Sequence, residues 1–532
     1  MKLPTNIRIP ALRLGVLAAL CALPAAHVAD AFAQDAGALP AGVVAGPDRG
    51  TLDGSPLGFA SPLDKIDYAA TVFVDDGAIV KNRSDLSKVQ GSLTGSGGRH
   101  VTITSNTQHV NGVYTKGRTR FTLADSTVDI AGHSLSADEN HGVGAGITAG
   151  KGSEVVLKNV KIRADGAHVS AAIAADGVLR IYDSELVSHG GQVAEENRAP
   201  GSGPGFFGPP EPLEMEGTAR TVNVIGSGHA YIYHSHISAD GWGAVSTDSA
   251  SKDGVVLEVH DSEVEARPAG YGTYADNNCD VKFFDTHFHT HDYTGIISGD
   301  GKIAFTNVTE DTAKHGVMLH APGREFQRIA TLAITGGEFT TRQSLVFVKS
   351  HNADIVLDGV KAHPGDGAII KSVINDSKRS PMLRTLLEPP GGPGGAGGPP
   401  MQAAEPAPSV QPVHGIHAVL RNMPDLAGNI EHFDTMRTMD IALENTTLSG
   451  DIVGSTWAIT DIRLKLDANS RWHAKHDGRV TLLQATDASR FDAPAGVMII
   501  AIAGEGTTLR GTYPLASGGR LIVKQPAPAA KK

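Results

Sequence analysis

Three histidines stand at alternating positions in FFDTHFHTHDY, residues 283 to 293: His287, His289 and His291. On an extended strand that spacing puts the three imidazoles on one side. The same phrase occurs earlier as HDSEVEA and HSHISA, where Glu263 and Glu265, and before them His236 and Ser238, take the places of His287 and His289. If these phrases stack as successive coils, His236, Glu263 and His287 form one row. Imidazole and carboxylate are acceptable ligands for Zn²⁺ or Cu²⁺, although a flat row closes poorly into a tetrahedron. The ordinary alternative is a wet strand face whose neighbours complement one another in charge.

A second set could do acid–base work. Asp248, Asp276 and Asp300 follow His234, Asp261 and Asp285 by 14, 15 and 15 residues, which predicts the same bend on three successive coils. Stacked carboxylates of this kind can hold Ca²⁺ against an acidic sugar or divide acid and base duties in a lyase or glycosidase. Like charges one coil apart would also raise one pKa. Asn277, Asn278, Lys302 and His320 are near enough in phase to assist. Against this, STDS, YADNN and SGDG are turn sequences, where Asp is favoured for its backbone hydrogen bonds. Trp242, in ADGWGAVSTD, is a candidate to stack on a sugar ring beside Asp248, the alternative being a packed indole.

What would position these residues is a repeated phrase: apolar residues at alternate positions, then Asp or Asn with a small residue, then another apolar residue two places on. It reads FTLADSTV at 121, LRIYDSEL at 179, LEVHDSEV at 257, VKFFDTHF at 281 and IALENTTL at 441. Its turn position falls at Asp125, Asn159, Asp183, His234, Asp261, Asp285, Asn307, Gly336, Asp358, Asn422, Asn445 and Asn469. Most steps are 22 to 29 residues, and two of the long ones hold EENRAPGSGPGFFGPPEPLEMEG and EPPGGPGGAGGPPMQAAEPAPS, expected as surface loops at about 191–218 and 378–412. Within each period runs a second short apolar phrase, such as GAVSTD at 243 or GIISGDG at 295. Two or three short strands per period, turned by Gly, Asp and Asn, predict an all-β, right-handed parallel β-helix of about 12 coils. A propeller blade needs about 40 to 50 residues per repeat, and a leucine-rich repeat needs its Leu ladder and a helical limb.

The totals agree with that architecture. Gly is 63 of 532 residues and aromatics are 5%, so small and β-tolerant side chains must do most of the packing. Lys2, Arg8 and Arg13 around LGVLAALCAL, followed by Ala31-Phe32-Ala33, predict an export signal over residues 1–33. Its removal takes the formal charge from −11 to −13, since three cations and one anion leave with it, which disfavours nucleic acid and anionic membranes as partners. Cys279 is then the last cysteine, so stability must come without an intrachain disulfide. The expected organisation is an N-terminal segment and cap over 34–95, the β-helix over 96–475, and C-terminal coils, cap and tail over 476–532. A monomer with no further transmembrane segment and no obligatory cofactor is expected, with Ca²⁺ at the aspartates or Zn²⁺ at the histidines as alternatives.

The periodicity, the two Pro-rich insertions and the closing series DIALENTTLSGDIVGSTWAITDIRLKLDANSRWHAKHDGRVTLL resemble pertactin-type autotransporter passengers and related exported right-handed β-helix proteins, over about residues 95 to 525. The resemblance implies a surface or secreted adhesion role with a cell-surface glycan or protein as ligand. It is a resemblance without the C-terminal outer-membrane barrel of such autotransporters, so a periplasmic, released or otherwise held protein is expected. The Trp-x-Asp-His phrase that resemblance to pectate lyases would require is absent. Three functions therefore stand: an adhesin-like binding protein first, a polysaccharide lyase or glycosidase at Asp248, Asp276 and Asp300 second, and a structural envelope protein third.

Overall fold

The computed structural model describes residues 63, 66–132, 142–191, 213–250, 253–320, 328–374, 414–435, 437–454 and 462–526. The expected export signal and most of both Pro-rich insertions lie outside them. Within the described residues a typical coil supplies three strands, as in Val255–His260, Glu263–Ala266 and Tyr271–Ala275, followed one coil later by Cys279–Phe284, His287–Thr290 and Tyr293–Ser298, while in Arg120–Ala131 and Glu154–Asp165 the first two run together. Strands of successive coils pair in parallel, with Val255 opposite Cys279, Glu263 opposite His287 and Tyr271 opposite Tyr293. The third strand of each coil joins a 14-stranded sheet that ends at Ile452–Gly454. The chain is a parallel β-helix, and its core is the column enclosed by the three sheets.

The turn position works because Asp and Asn tolerate the left-handed backbone better than other side chains. Asp125, Asn159, Asp183, His234, Asp261, Asp285, Asn307, Asn422 and Asn445 have φ between 43° and 57°. Asn159 donates from Nδ2 to Asp125 Oδ1 at 2.7 Å, and Asn445 to Asn422 Oδ1 at 3.1 Å, so the bends are also tied coil to coil. The small residue that follows is a buried hydroxyl ladder. Ser184, Ser235 and Ser262 each donate to the carbonyl two residues back, and each accepts the backbone N–H of the preceding coil, from Val160, Ser184 and Ser235 respectively. No buried hydroxyl is wasted there, which is what a water-free interior requires.

Two turn assignments need correction. Gly359 makes the bend expected of Asp358, which stays on its strand opposite Thr335. Asn469 does not adopt the left-handed backbone; Asp467 turns that coil by accepting from the N–H groups of Asn445 and Asn469 and from the Ser470 hydroxyl. The left-handed requirement itself is testable at Asp261. Asp261→Val should cost about 1–2 kcal/mol, whereas Asp261→Gly should stay within about 1 kcal/mol of the parent in urea unfolding.

The parallel ladder begins ahead of residue 96 and runs on through the C-terminal coils beyond residue 475. Ala69–Asp75 already pairs in parallel with Val110–Lys116, and Met498–Thr507 pairs in parallel with Gly478–Ala485 and Arg520–Lys524. Antiparallel pairs close the ends: Leu93–Thr94 against Gly97–Gly98 at one, and Gly511–Pro514 against the Arg520–Lys524 strand at the other. Such caps keep open ladder edges from recruiting other strands. Phe283, Phe288, Phe305 and Phe339 form an aromatic cluster within the core, all buried. Gly272 makes room for it, because a Cβ there would lie 2.4 Å from the Phe288 ring.

Candidate functional site

The histidine phrase sits on the wall formed by the second strand of each coil. Phe288 points inward, while His287 and His289 point outward and are half-buried. His291 lies just beyond the strand and leans on Asp292, with Nδ1 2.9 Å from Oδ1, so it does not extend the row. His236, Glu263 and His287 are in register as expected. The side chains, however, pair diagonally: His236 Nε2 lies 3.5 Å from Glu265, and Glu263 lies 3.6 Å from His289 Nε2. The group that does converge is His287, His289 and Asp311, with the two rings 4.1 Å apart and His289 Nδ1 3.0 Å from Asp311. Arg267 stands beside it, its guanidinium 3.3 Å from His289 Nδ1 and 4.0 Å from the Asp311 carboxylate, a fixed cation that opposes a metal ion there.

The three aspartates do not form one stack. Ala275 is opposite Ile297 and Ser298 is opposite His320, so Asp276 falls beside Ser298, and Asp300 sits two residues further on. Asp300 instead accepts the Asn278 N–H at 2.8 Å and is bound by Arg328 at 3.3 Å. Asp276 is half-buried and accepts from Asn277 at 3.2 Å. Asp248 is clamped by Arg220, whose guanidinium carbon lies 4.1 Å over the Trp242 ring. Burial alone would pull the Arg220 pKa down, but Asp248 outweighs it and the guanidinium is held more firmly charged than usual. Of the expected helpers, His320 is 1% exposed, and Lys302 faces solvent on a different wall, opposite Asp280 and Thr331.

Trp242 is not available to a sugar. It is 6% exposed and packs with Leu213, Tyr271 and Tyr293. Its cover comes from the end of the first Pro-rich insertion, which was expected to be a surface loop. The Trp242 N–H donates to Glu216 O at 2.8 Å, and Glu214 reaches Lys349 at 3.2 Å and Lys314 at 3.5 Å across the outer face of the 14-stranded sheet. Cys279 is buried, and burial pushes its thiol well above the usual range, so it is no nucleophile.

A feature not anticipated from the sequence lies on the first-strand wall. Tyr182, Tyr233, His260 and Phe284 occupy one register row on four successive coils and face outward, each half-buried. Their rings stack nearly parallel, with centroids 5.2, 4.8 and 4.5 Å apart and planes within 13°. Burial keeps the His260 pKa below its ordinary value, consistent with a neutral ring inside the stack. Beside this column Arg180 lies 4.7 Å over Tyr231, and Lys282 bridges Asp280 at 2.9 Å and Glu258 at 3.4 Å. The signal was present: each ring is the residue immediately before a turn marker. Its meaning depends on the coils stacking in register.

No helix among the described residues is long and apolar enough to cross a membrane. No protein-family model matches the chain, and no curated protein matches it.

Proposed function

We propose that this chain is an exported, surface-associated or secreted binding protein of the pertactin-like, adhesin type, and that its recognition surface is the first-strand wall centred on Tyr182, Tyr233, His260 and Phe284. The observation that carries this reading is the outward aromatic column, four rings in register with flanking Arg180, Glu258 and Lys282. Aromatic edges set beside fixed charges at about 4.8 Å intervals suit an extended ligand such as a glycan chain or a protein strand better than a small molecule. A hydrolytic reading is weaker because Asp248 is tied to Arg220, Asp300 to Arg328 and a turn, and Trp242 is covered.

The test is binding of the protein purified after export to a glycan array and to cultured cells, with product analysis on acidic and neutral polysaccharides in parallel. The triple variant Tyr182→Ala, Tyr233→Ala, Phe284→Ala is expected to bind at least about tenfold more weakly, a loss of about 1.4 kcal/mol, and Asp276→Asn to bind as the parent does. New reducing or unsaturated ends that disappear in Asp276→Asn would make the protein an enzyme. Absence of both binding and cleavage would leave the architectural role.

A further inference from the structure

We propose that Asp354, His414 and His417 form a binding site for a divalent transition-metal ion, with Zn²⁺ the best-fitting ion. Asp354 and His417 are opposite each other on adjacent coils, both facing outward, with Oδ1 and Nδ1 3.4 Å apart. His414 places Nε2 2.7 Å from the same carboxylate oxygen, and its ring centroid is 4.1 Å from that of His417. The three ligand atoms all lie within 4.8 Å of one another. Around Zn²⁺ with bonds of about 2.0–2.2 Å, tetrahedral ligand atoms sit about 3.4 Å apart. The Asp354 to His417 spacing therefore already matches, and His414 has only to draw back by several tenths of an ångström.

The backbone is shaped for this convergence. Residues three apart on a continuous strand point to opposite faces. Here Gly415, with φ +93°, breaks the alternation just before the strand Ile416–Arg421 begins, which lets His414 and His417 share a face. A side chain could not replace it, since a Cβ at 415 would lie 2.8 Å from the Thr438 carbonyl oxygen and the backbone is left-handed. All three ligands are partly desolvated, with side chains 17% to 25% exposed, yet open enough to admit an ion and a completing water.

The surroundings favour this group over the one at His287, His289 and Asp311. Arg463, which reaches the same register row from two coils beyond Asp354's neighbour, is engaged with Asp440 at 2.6 Å, whereas Arg267 lies against both His289 and Asp311. Two imidazoles and one carboxylate form a borderline donor set, suited to Zn²⁺ and, by the general affinity order, able to take Cu²⁺ or Ni²⁺. An ion there would pin together residues 60 positions apart in sequence, Asp354 and His414, where the chain returns to the solenoid after the second Pro-rich insertion.

The test uses the exported protein, purified without a polyhistidine tag, stripped with a chelator and titrated with Zn²⁺ against a chromophoric competitor. One tight equivalent is expected in the parent and in a His287→Ala, His289→Ala variant. Affinity should fall at least about tenfold in Asp354→Asn and in His414→Ala, with circular dichroism confirming that both remain folded. X-ray absorption of the loaded protein should show two nitrogens and oxygen ligands at about 2.0–2.2 Å. No tight equivalent in the parent, or one that survives both Asp354→Asn and His414→Ala, would overturn the site.

Discussion

Stability should fall steeply as the pH is lowered from 6.5 towards 4, and a His351→Gln variant should lose less of it than the parent. His315, His320 and His351 are 4%, 1% and 1% exposed. Burial holds the first two down to about 3 and His351 to about 4, from an ordinary value of 6.5. The unfolded chain takes up these protons near pH 6.5, and the folded chain refuses them until much lower. Below pH 6.5 the unfolded state therefore binds more protons, and the stability present above that pH is lost as the pH falls. One pKa unit is about 1.4 kcal/mol, so each histidine is worth on the order of 3 kcal/mol by pH 4. Glu310 works in the opposite direction: burial raises its carboxyl despite hydrogen bonds from Thr290, Thr294 and Thr312, so its contribution is present at low pH and lost as the pH rises through its raised value.

The variant is chosen to isolate the proton. His351 Nε2 donates to Gly299 O at 2.6 Å, a bond that the glutamine amide can replace without titrating. His320→Leu is a second probe, because His320 Nδ1 has no hydrogen-bond partner among the described residues and its loss should be neutral or stabilising at pH 7. The measurement is urea unfolding at half-unit pH steps, with amide exchange over Tyr293–Ser298, His315–His320 and Val346–Lys349 to localise the loss, since long repeat arrays need not unfold in one step. Parallel curves for parent and variant would show that something other than the buried histidines sets the acid limit.

The second large effect separates two adjacent residues. Phe288→Ala should cost about 3–5 kcal/mol, whereas His287→Ala, one position away, should cost no more than about 1 kcal/mol. Phe288 is fully buried, with Phe283 and Phe305 at ring distances of 4.9 and 5.7 Å, and the solenoid cannot collapse around the cavity without disturbing the coils on either side. His287 faces outward, and its main polar contact is the Thr309 hydroxyl. Thermal unfolding followed by circular dichroism decides it. Similar losses for the two variants would mean that the strand does not alternate as described.

The candidate sites divide along the same line as the fold. The outward direction of His287 and His289 was legible because strand alternation is a local, two-residue rule, and Phe288 supplied the inward reference. The stacking of His236, Glu263 and His287 was legible because each lies two places after its turn position, His234, Asp261 or Asp285, so the register holds although the coils differ in length. Which carboxylate each imidazole meets was not, since diagonal pairing depends on rotamers chosen among several close neighbours. The aspartate bend was misjudged for a related reason: equal counting from the turn marker ignores the backbone path through each bend, and two extra residues move Asp300 away from Asp276. The Asp354, His414 and His417 group was out of reach of spacing arguments, because a long insertion separates its members.

Taken alone, the sequence determined the parallel β-helix, its coil length, and the Asp, Asn and Gly bends, because each is enforced within one period by alternation and by the left-handed backbone those residues accept. It also determined the inward residues, from Val128 and Leu186 to Phe288, all of which are fully buried. Only the tertiary structure decided that the parallel ladder already begins at Ala69–Asp75, that Leu213–Gly217 covers Trp242, that Asp248 is held by Arg220, and that four rings ahead of the turn markers become one aromatic column. Those facts arise from contacts between residues tens of positions apart, where side-chain volume, charge and the return path of the insertions select the partner, and no local periodicity records that selection.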